Sequence, residues 1–487
     1  MQTYAGLWRI MICVLTQGLE ASRRDYRMLA DTAVHAPPRA RNWLALAALA
    51  PALFLIFPRL APFLALALGG AILAAASMVD VRRQLSRLPA PILAMLAFAA
   101  WALVSLIWSV DRSGAAAKIG LLVLLTATVW STAISGPRLS DDLIGQIQRT
   151  LLLAFVIGLA YLAIEEVTGH AIKRLAFSLL TWARPSTKHI IIEADSGEVM
   201  KVHGEVSNRS MAALSLALWP MLLLAGRVLE HGRRWWGTAA ILAAAAGTIA
   251  VSQHETSVLA LVAALAVLAL MQRWPRAGLA AVAAGWMLAT LAVVPITDWA
   301  FRTAQWHQAA WLPQTARQRI ILWGYTARQV PLRPLTGVGA DSTKPLDASR
   351  GSRVETPAGF EYQWRSGPHA HNIFLQNWYE LGLPGAVLLC AFGLAVLHAI
   401  SRLLPYSQAC ITAAFVTAAI TAAFTWGLWQ TWFMGAFALS AILGLLALEV
   451  DRRAAAGNGS SAQPTTLRFA AARSRLAHRP DTRRPRG

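Results

Sequence analysis

Apolar runs long enough to cross a lipid bilayer recur along this chain from about residue 43 to residue 450, and nothing else in it limits the fold so tightly. A hydrocarbon core of about 30 Å needs about 20 apolar residues in helical form. Candidate spans fall at roughly 43–57, 61–79, 90–109, 118–135, 150–168, 210–227, 236–251, 255–271, 278–295, 373–400, 408–427 and 432–450. The expectation is an all-α polytopic membrane protein of about 12 transmembrane helices. Composition agrees, with 56% hydrophobic and only 14% charged residues, and argues against the soluble domains that 487 residues could otherwise hold. Residues 43–450 form the transmembrane domain, preceded by a cytoplasmic or interfacial segment, 1–42, and followed by a basic, disordered cytoplasmic tail, 451–487.

Charge placement orients the spans. Arginines cluster after even-numbered spans: Arg82, Arg83 and Arg87; Arg227, Arg233 and Arg234; Arg273 and Arg276; Arg402. Connections after odd-numbered spans are poorer, with Arg59, then Arg112 and Lys118, and none near residue 430. Both termini are therefore expected in the cytoplasm, and the long loops 169–209 and 296–371 on the far side, the periplasm of a Gram-negative cell. The net charge of +20 does not point to nucleic acid. From Asp451 on, nine Arg stand against two Asp among Gly, Ser and Pro, which suits a solvated tail near anionic headgroups. Cys13, Cys390 and Cys410 have no metal or disulfide spacing.

The stretch PHAHNIFLQNWYELGLPGAV, Pro368 to Val387, is unusual for a chain about to enter lipid. Two histidines, His369 and His371, lead into a helix with Asn372, Gln376 and Glu380 at four-residue steps, a single polar stripe. Residues 372–400 as one helix would be about 40 Å long, more than a bilayer core. The Gly382-Leu383-Pro384-Gly385 break resolves this, giving an interfacial helix before it and a membrane segment after it. Polar, titratable groups at such a place are a functional signal.

Three more far-side patches join it: Asn208-Arg209 at the mouth of the sixth span, His254-Glu255, and Arg317, Arg319 and Arg328 followed by the Gly337-Val338-Gly339 turn. The 296–371 loop carries nine Lys or Arg against five Asp or Glu, a cationic cap. Arginine grips phosphate with two parallel hydrogen bonds, and histidine moves a proton near neutral pH. Together they suit a membrane-bound diphosphate that must be displaced. Each residue also has a plainer role. Arg209 could be a snorkelling anchor, His254 and Glu255 a helix start, and Glu380 a hydrogen-bond partner to a neighbouring helix. Arg317 and Arg319 are two apart and face different ways on a helix. No Asp-x-Asp loop, P-loop or His-Glu-x-x-His is present, which favours cationic side chains over a metal, and no cofactor is expected. A transporter or flippase would instead place titratable groups mid-bilayer on paired broken helices.

Three motifs in this order, Asn208-Arg209 running to Trp219-Pro220, Arg319 and Trp323 running to Pro334-Leu335-x-Gly337-x-Gly339, and His369-x-His371-Asn372 running to Gly385, resemble the O-antigen ligase and polymerase superfamily. The chain departs from the commoner pattern at His254-Glu255-Thr256 and at Lys344. The resemblance implies a fold similar to lipid-linked (GT-C-like) glycosyltransferases in the inner membrane. The donor would be an undecaprenyl-diphosphate-linked glycan, and the acceptor a sugar hydroxyl of lipid A-core oligosaccharide. In polymerases the acceptor is another lipid-linked glycan. The family pattern makes His371 the catalytic residue, with Arg319 and Arg209 on the diphosphate. His369, Arg317, Asn372, Arg328, His254 and Glu380 are expected to bind substrate, and membrane lipids are the other partners.

Overall fold

A computed structural model describes residues 38–76, 88–229, 234–347, 353–355 and 361–458. The expectations for the lead-in up to residue 37, for Arg82, Arg83, Arg87 and Arg233, for the Arg234 side chain and for the tail from 459 on lie outside the described residues. The rest is almost wholly helical. Among the described residues nine helices are long and apolar enough to cross a membrane, or ten with the bent pair Pro275–Leu291 and Val293–Arg302, which meet at 69°. This is a multi-pass membrane protein. Two further apolar helices, Arg41–Ile56 and Trp235–Val251, are shorter, so a count of twelve requires both of them to cross.

Local chemistry sets the helix ends. Proline stands at the first helical positions of Ala90–Val104, Pro275–Leu291 and Pro405–Phe424, where its missing N–H costs nothing. Asp111 caps the Arg112–Ser135 helix by accepting from the Gly114 amide at 2.9 Å. The Asn208–Val228 helix is the hub: 89% of its span is buried, against 22% for Ala90–Ile107 on the lipid-facing rim. Trp219 on the hub donates to the Thr417 hydroxyl at 2.8 Å, and its Leu216 carbonyl accepts from Ser440 at 2.7 Å. Small residues let helices touch. A Cβ at Gly435 would sit 2.3 Å from Pro62, and one at Gly393 would sit 2.1 Å from the Trp286 ring.

Side-chain bonds sort the connections into two ends. At one, Arg227 and Ser407 both bond Asp451, while Arg453 reaches Asp141 at 2.5 Å and the Leu139 carbonyl at 2.8 Å. At the other, Ser109 bonds the Ala340 carbonyl at 2.8 Å, Arg209 lies over Trp432, and His254 stacks on Trp426. The site end carries two short hairpins, Ile190–Ile192 with Val199–Val202 and Arg353–Glu355 with Glu361–Gln363.

The Ile373–Ile400 helix breaks at Gly382 (φ 63°, ψ −160°), as the sequence implies. One expectation changes. The part before the break is buried in protein from Ile373 through Leu381, apart from Trp378, and so does not lie along the interface. It is drawn inward by the Gly337–Thr343 loop. A Cβ at Gly337 would lie 2.3 Å from the Glu380 carbonyl carbon, and one at Gly382 would lie 2.5 Å from the Leu335 carbonyl oxygen. Only glycine allows backbones to approach this closely.

Candidate functional site

Glu380 organises the site end. It is fully buried, and its carboxylate accepts from the Asp341 amide (3.1 Å), the Thr343 amide (3.0 Å), the Thr343 hydroxyl (2.5 Å), Gln376 Nε2 (3.1 Å) and Trp429 Nε1. One carboxylate thus ties its own helix to the loop after Gly339 and to the connection 425–430. Gln376, one turn earlier, accepts from the Leu428 amide at 3.1 Å, which strengthens the same connection. The polar stripe seen in the sequence therefore points into protein and is spent on holding two loops. Asn372 is the helix N-cap, accepting from the Leu375 amide at 3.0 Å.

Held against that frame, His371 adopts a left-handed backbone (φ 52°), uncommon outside glycine. Trp323 fixes the residue before it by donating to the Ala370 carbonyl at 2.8 Å. The His371 Nδ1 bonds the Thr425 carbonyl oxygen. A carbonyl can only accept, so Nδ1 carries the hydrogen and Nε2 keeps its lone pair. The ring centre of His369 lies 4.1 Å away. Burial holds the His371 imidazole below its ordinary value; the Thr425 carbonyl pushes it back up, and the Arg319 charge pushes it further down. Burial, then the neighbouring His371, takes His369 down to about 3.

Burial, and then the charge of Arg319, takes His254 down to about 4. His254 is buried, bonds the Ser257 hydroxyl through Nδ1 at 2.7 Å, and stacks on Trp426 with ring centres 5.7 Å apart. Trp426 packs edge-on against Trp432 at 4.6 Å, and Arg209 covers the Trp432 ring at 5.6 Å. Arg209, in the first turn of the hub helix, feels the charge of Arg59 on the turn Pro58–Leu60. Its Nε is buried with no hydrogen-bond partner. Among the described residues neither Arg209 nor Arg319 forms an ion pair, although the Glu255 carboxylate lies in electrostatic reach of Arg319 and offsets part of its charge.

The structure thus sets His371 beside His369 and both His371 and His254 in reach of the Arg319 charge, and an aromatic bridge, Trp426 and Trp432, runs from His254 to Arg209. It does not bring in Arg328. That side chain sits about 13 Å further along the Gln314–Gln329 helix than Arg319, at 1.5 Å per residue. It pairs with Asp298 at 3.6 Å and lies over Trp364 at 5.3 Å. Arg317, half-buried, faces another side of the same helix. Thr425, Trp426, Gln430 and Trp432 belong to no motif that the sequence singles out. Gln430 accepts from Trp432 at 2.9 Å and reaches His369 at 3.5 Å. Three tryptophans within TWGLWQTW, in a connection between two spans, were the available signal. Arg59 carries only a topological signal in the sequence.

A family model described as O-Antigen ligase matches residues 239–390. That stretch holds His254, Arg317, Arg319, Arg328, His369, His371, Asn372 and Glu380 but not Arg209 or the 425–432 segment, and bears out the resemblance drawn from the motifs. Two proteins named "Putative polysaccharide ligase" are similar, one from Rickettsia conorii at 26% identity and one from Rickettsia felis at 24%, each over 139 residues. The similar stretch covers 28% of this chain and 33% of the length of each relative.

Proposed function

We propose that the protein is an O-antigen ligase-like glycosyltransferase of the bacterial inner membrane. It moves a polysaccharide from undecaprenyl diphosphate to a sugar hydroxyl of the lipid A core, with both termini cytoplasmic and the site facing the periplasm. The observation that carries the reading is the imidazole of His371, fixed by the Thr425 carbonyl so that Nε2 keeps its lone pair, with the ring in reach of the Arg319 charge. The family match over 239–390 supports it.

The step is a single displacement. Nε2 of His371 takes the proton of the acceptor hydroxyl while that oxygen attacks the anomeric carbon. The bond from that carbon to the diphosphate oxygen breaks on the opposite face, which inverts the centre, and the diphosphate departs with the electron pair. Arg319 and Arg209, with Arg59 beside the latter, stabilise the charge that builds on it, a preorganised electrostatic effect. A diphosphate is a good leaving group, so no general acid is required. The imidazolium then releases its proton to water.

His371→Ala is expected to lower transfer by about 10²–10⁴-fold, the usual worth of a positioned base. The readout is polysaccharide attached to lipid A in cells whose own enzyme is deleted, with mutant protein levels checked. Normal attachment would sink the base role. Arg319→Lys keeps the charge and loses the two-pronged grip, and should reduce transfer about tenfold or more, the cost of about 1.4 kcal/mol. Deleting the gene should leave long glycan stranded on the lipid carrier. Single repeat units attached to the core would instead identify a polymerase.

A further inference from the structure

We infer that the segment after the Asp141–Val167 span contains an in-plane membrane anchor: helix Ala171–Leu179 and Trp182 lie in the headgroup region of the leaflet at the site end. This stands apart from the catalytic reading and uses none of its residues. Residues along this helix divide by direction. Phe177 packs on the small core of the hairpin Ile190–Ile192/Val199–Val202, and the Ser178 hydroxyl accepts from the Val199 amide at 2.9 Å. Lys173 turns toward the bundle. Ile172, Leu175 and Leu179, at steps of three and four, are 42%, 61% and 72% exposed, followed by Leu180 at 44% and Trp182 at 84%. So large an apolar stripe left open to water would be a liability on a loop.

Depth is what names the occupant. Gly169 (φ 61°) and His170 (φ 63°) are both left-handed and turn the chain sharply off the end of the span. The Lys173 amide donates to Glu165 at 3.1 Å, on the last turns of that span, and its Nζ donates to Ser207 at 2.6 Å, just before the hub helix begins. The first turn of the helix is therefore pinned to two membrane-spanning helices at the level where both leave the bilayer. Ile164 and Val167, 50% and 78% exposed near the end of the span, continue the same apolar surface toward lipid. Lys188 and Lys201 are exposed on the adjoining hairpin, but so are Glu193, Asp195 and Glu198, so the attachment rests on the apolar stripe and not on charge. An apolar stripe ending in an exposed tryptophan is the pattern of a helix lying in the interface.

The test uses the full chain with Cys13, Cys390 and Cys410 replaced by Ser. A single cysteine is introduced as Leu175→Cys, Leu179→Cys or Trp182→Cys, with Asp195→Cys at the exposed hairpin tip as the water reference. Each is nitroxide-labelled in vesicles of phosphatidylethanolamine and phosphatidylglycerol. Labels at 175, 179 and 182 should be severalfold more accessible to oxygen, and severalfold less to a water-soluble nickel chelate, than the label at 195. Nickel accessibility equal to that at 195 would place the helix in water and overturn the proposal. Labels equally immobile in detergent and in vesicles would also overturn it, by showing a protein surface over the stripe.

Discussion

At residue scale, the two neighbouring imidazoles differ in what holds them. His371 bonds a carbonyl fixed by a helix end, whereas His369 reaches the side-chain amide of Gln430 only at 3.5 Å. The motif spacing singles out both histidines, but no sequence pattern encodes a backbone carbonyl 54 residues away as the partner that chooses between them. Burial and Arg319 hold the pKa of His371 below its ordinary value, so its neutral, base-competent form persists into mildly acidic solution. The acid limb of kcat/KM for transfer in proteoliposomes should therefore lie below pH 6.5, the unperturbed value; a limb at or above it would contradict the assignment. Stability follows the same sign. His254, at about 4, binds fewer protons folded than unfolded between pH 6.5 and 4, so its contribution is full above that window and is lost as pH falls through it. His254→Gln should flatten the fall in melting temperature between pH 7 and pH 5 relative to the parent. Glu380 belongs to the same scale. In Glu380→Gln an amide N–H would face the donors of Thr343 or Trp429, costing about 1–3 kcal/mol, read as a lowered melting temperature in nanodiscs. An unchanged value would show that the carboxylate does not hold the loops.

At the scale of elements, the break at Gly382 was legible because helix length, bilayer thickness and a Gly-Leu-Pro-Gly run all point to it. What lies against the break was not. Gly337 and Gly339 read in sequence as a turn, yet each faces another backbone. A Cβ on Gly339 would lie 2.6 Å from the Ser109 Cα, and the φ values of 64° and 96° at the two glycines exclude a relaxed side chain. The loop bridges Ser109 on one side and Tyr379 and Glu380 on the other, with the Val338 amide donating to the Tyr379 carbonyl at 3.0 Å. Gly337→Ala and Gly339→Ala should each cost about 1–3 kcal/mol from backbone strain alone, and should reduce transfer by displacing the element that carries His371. Gly120, exposed on the helix Arg112–Ser135 with open space around its Cβ direction, is the contrast. Gly120→Ala should be neutral or stabilising by up to about 1 kcal/mol. Equal losses at all three positions would mean that the close approaches do not matter.

At the scale of the whole molecule, one of the arginine-rich connections in the sequence is placed by cross-bundle bonds: Arg227 pairs with Asp451 at the end opposite Arg209 and His254. Arg59 joins Arg209 only because the turn Pro58–Leu60 packs on the hub helix, a meeting of segments 150 residues apart that no local pattern carries. The same geometry bears on the short helix Trp235–Val251. The hub helix begins at the site end with Arg209 and finishes at the other with Arg227, bonded to Asp451. His254 is back at the site end, against Trp426. The intervening helix must return the chain across the bundle, and the 18 residues of Arg234–Val251 cover about 27 Å at 1.5 Å per residue, nearly a full bilayer core. Three crossings then separate residue 195 from residue 276. In spheroplasts of a strain making the Cys-to-Ser background, a membrane-impermeant maleimide should label Asp195→Cys directly and Arg276→Cys only after lysis. Labelling of both without lysis would mean that Trp235–Val251 does not cross. The reverse pattern would put His371 and its arginines in the cytoplasm, out of reach of a lipid-linked glycan on the periplasmic leaflet, and the proposed reaction would fail with it.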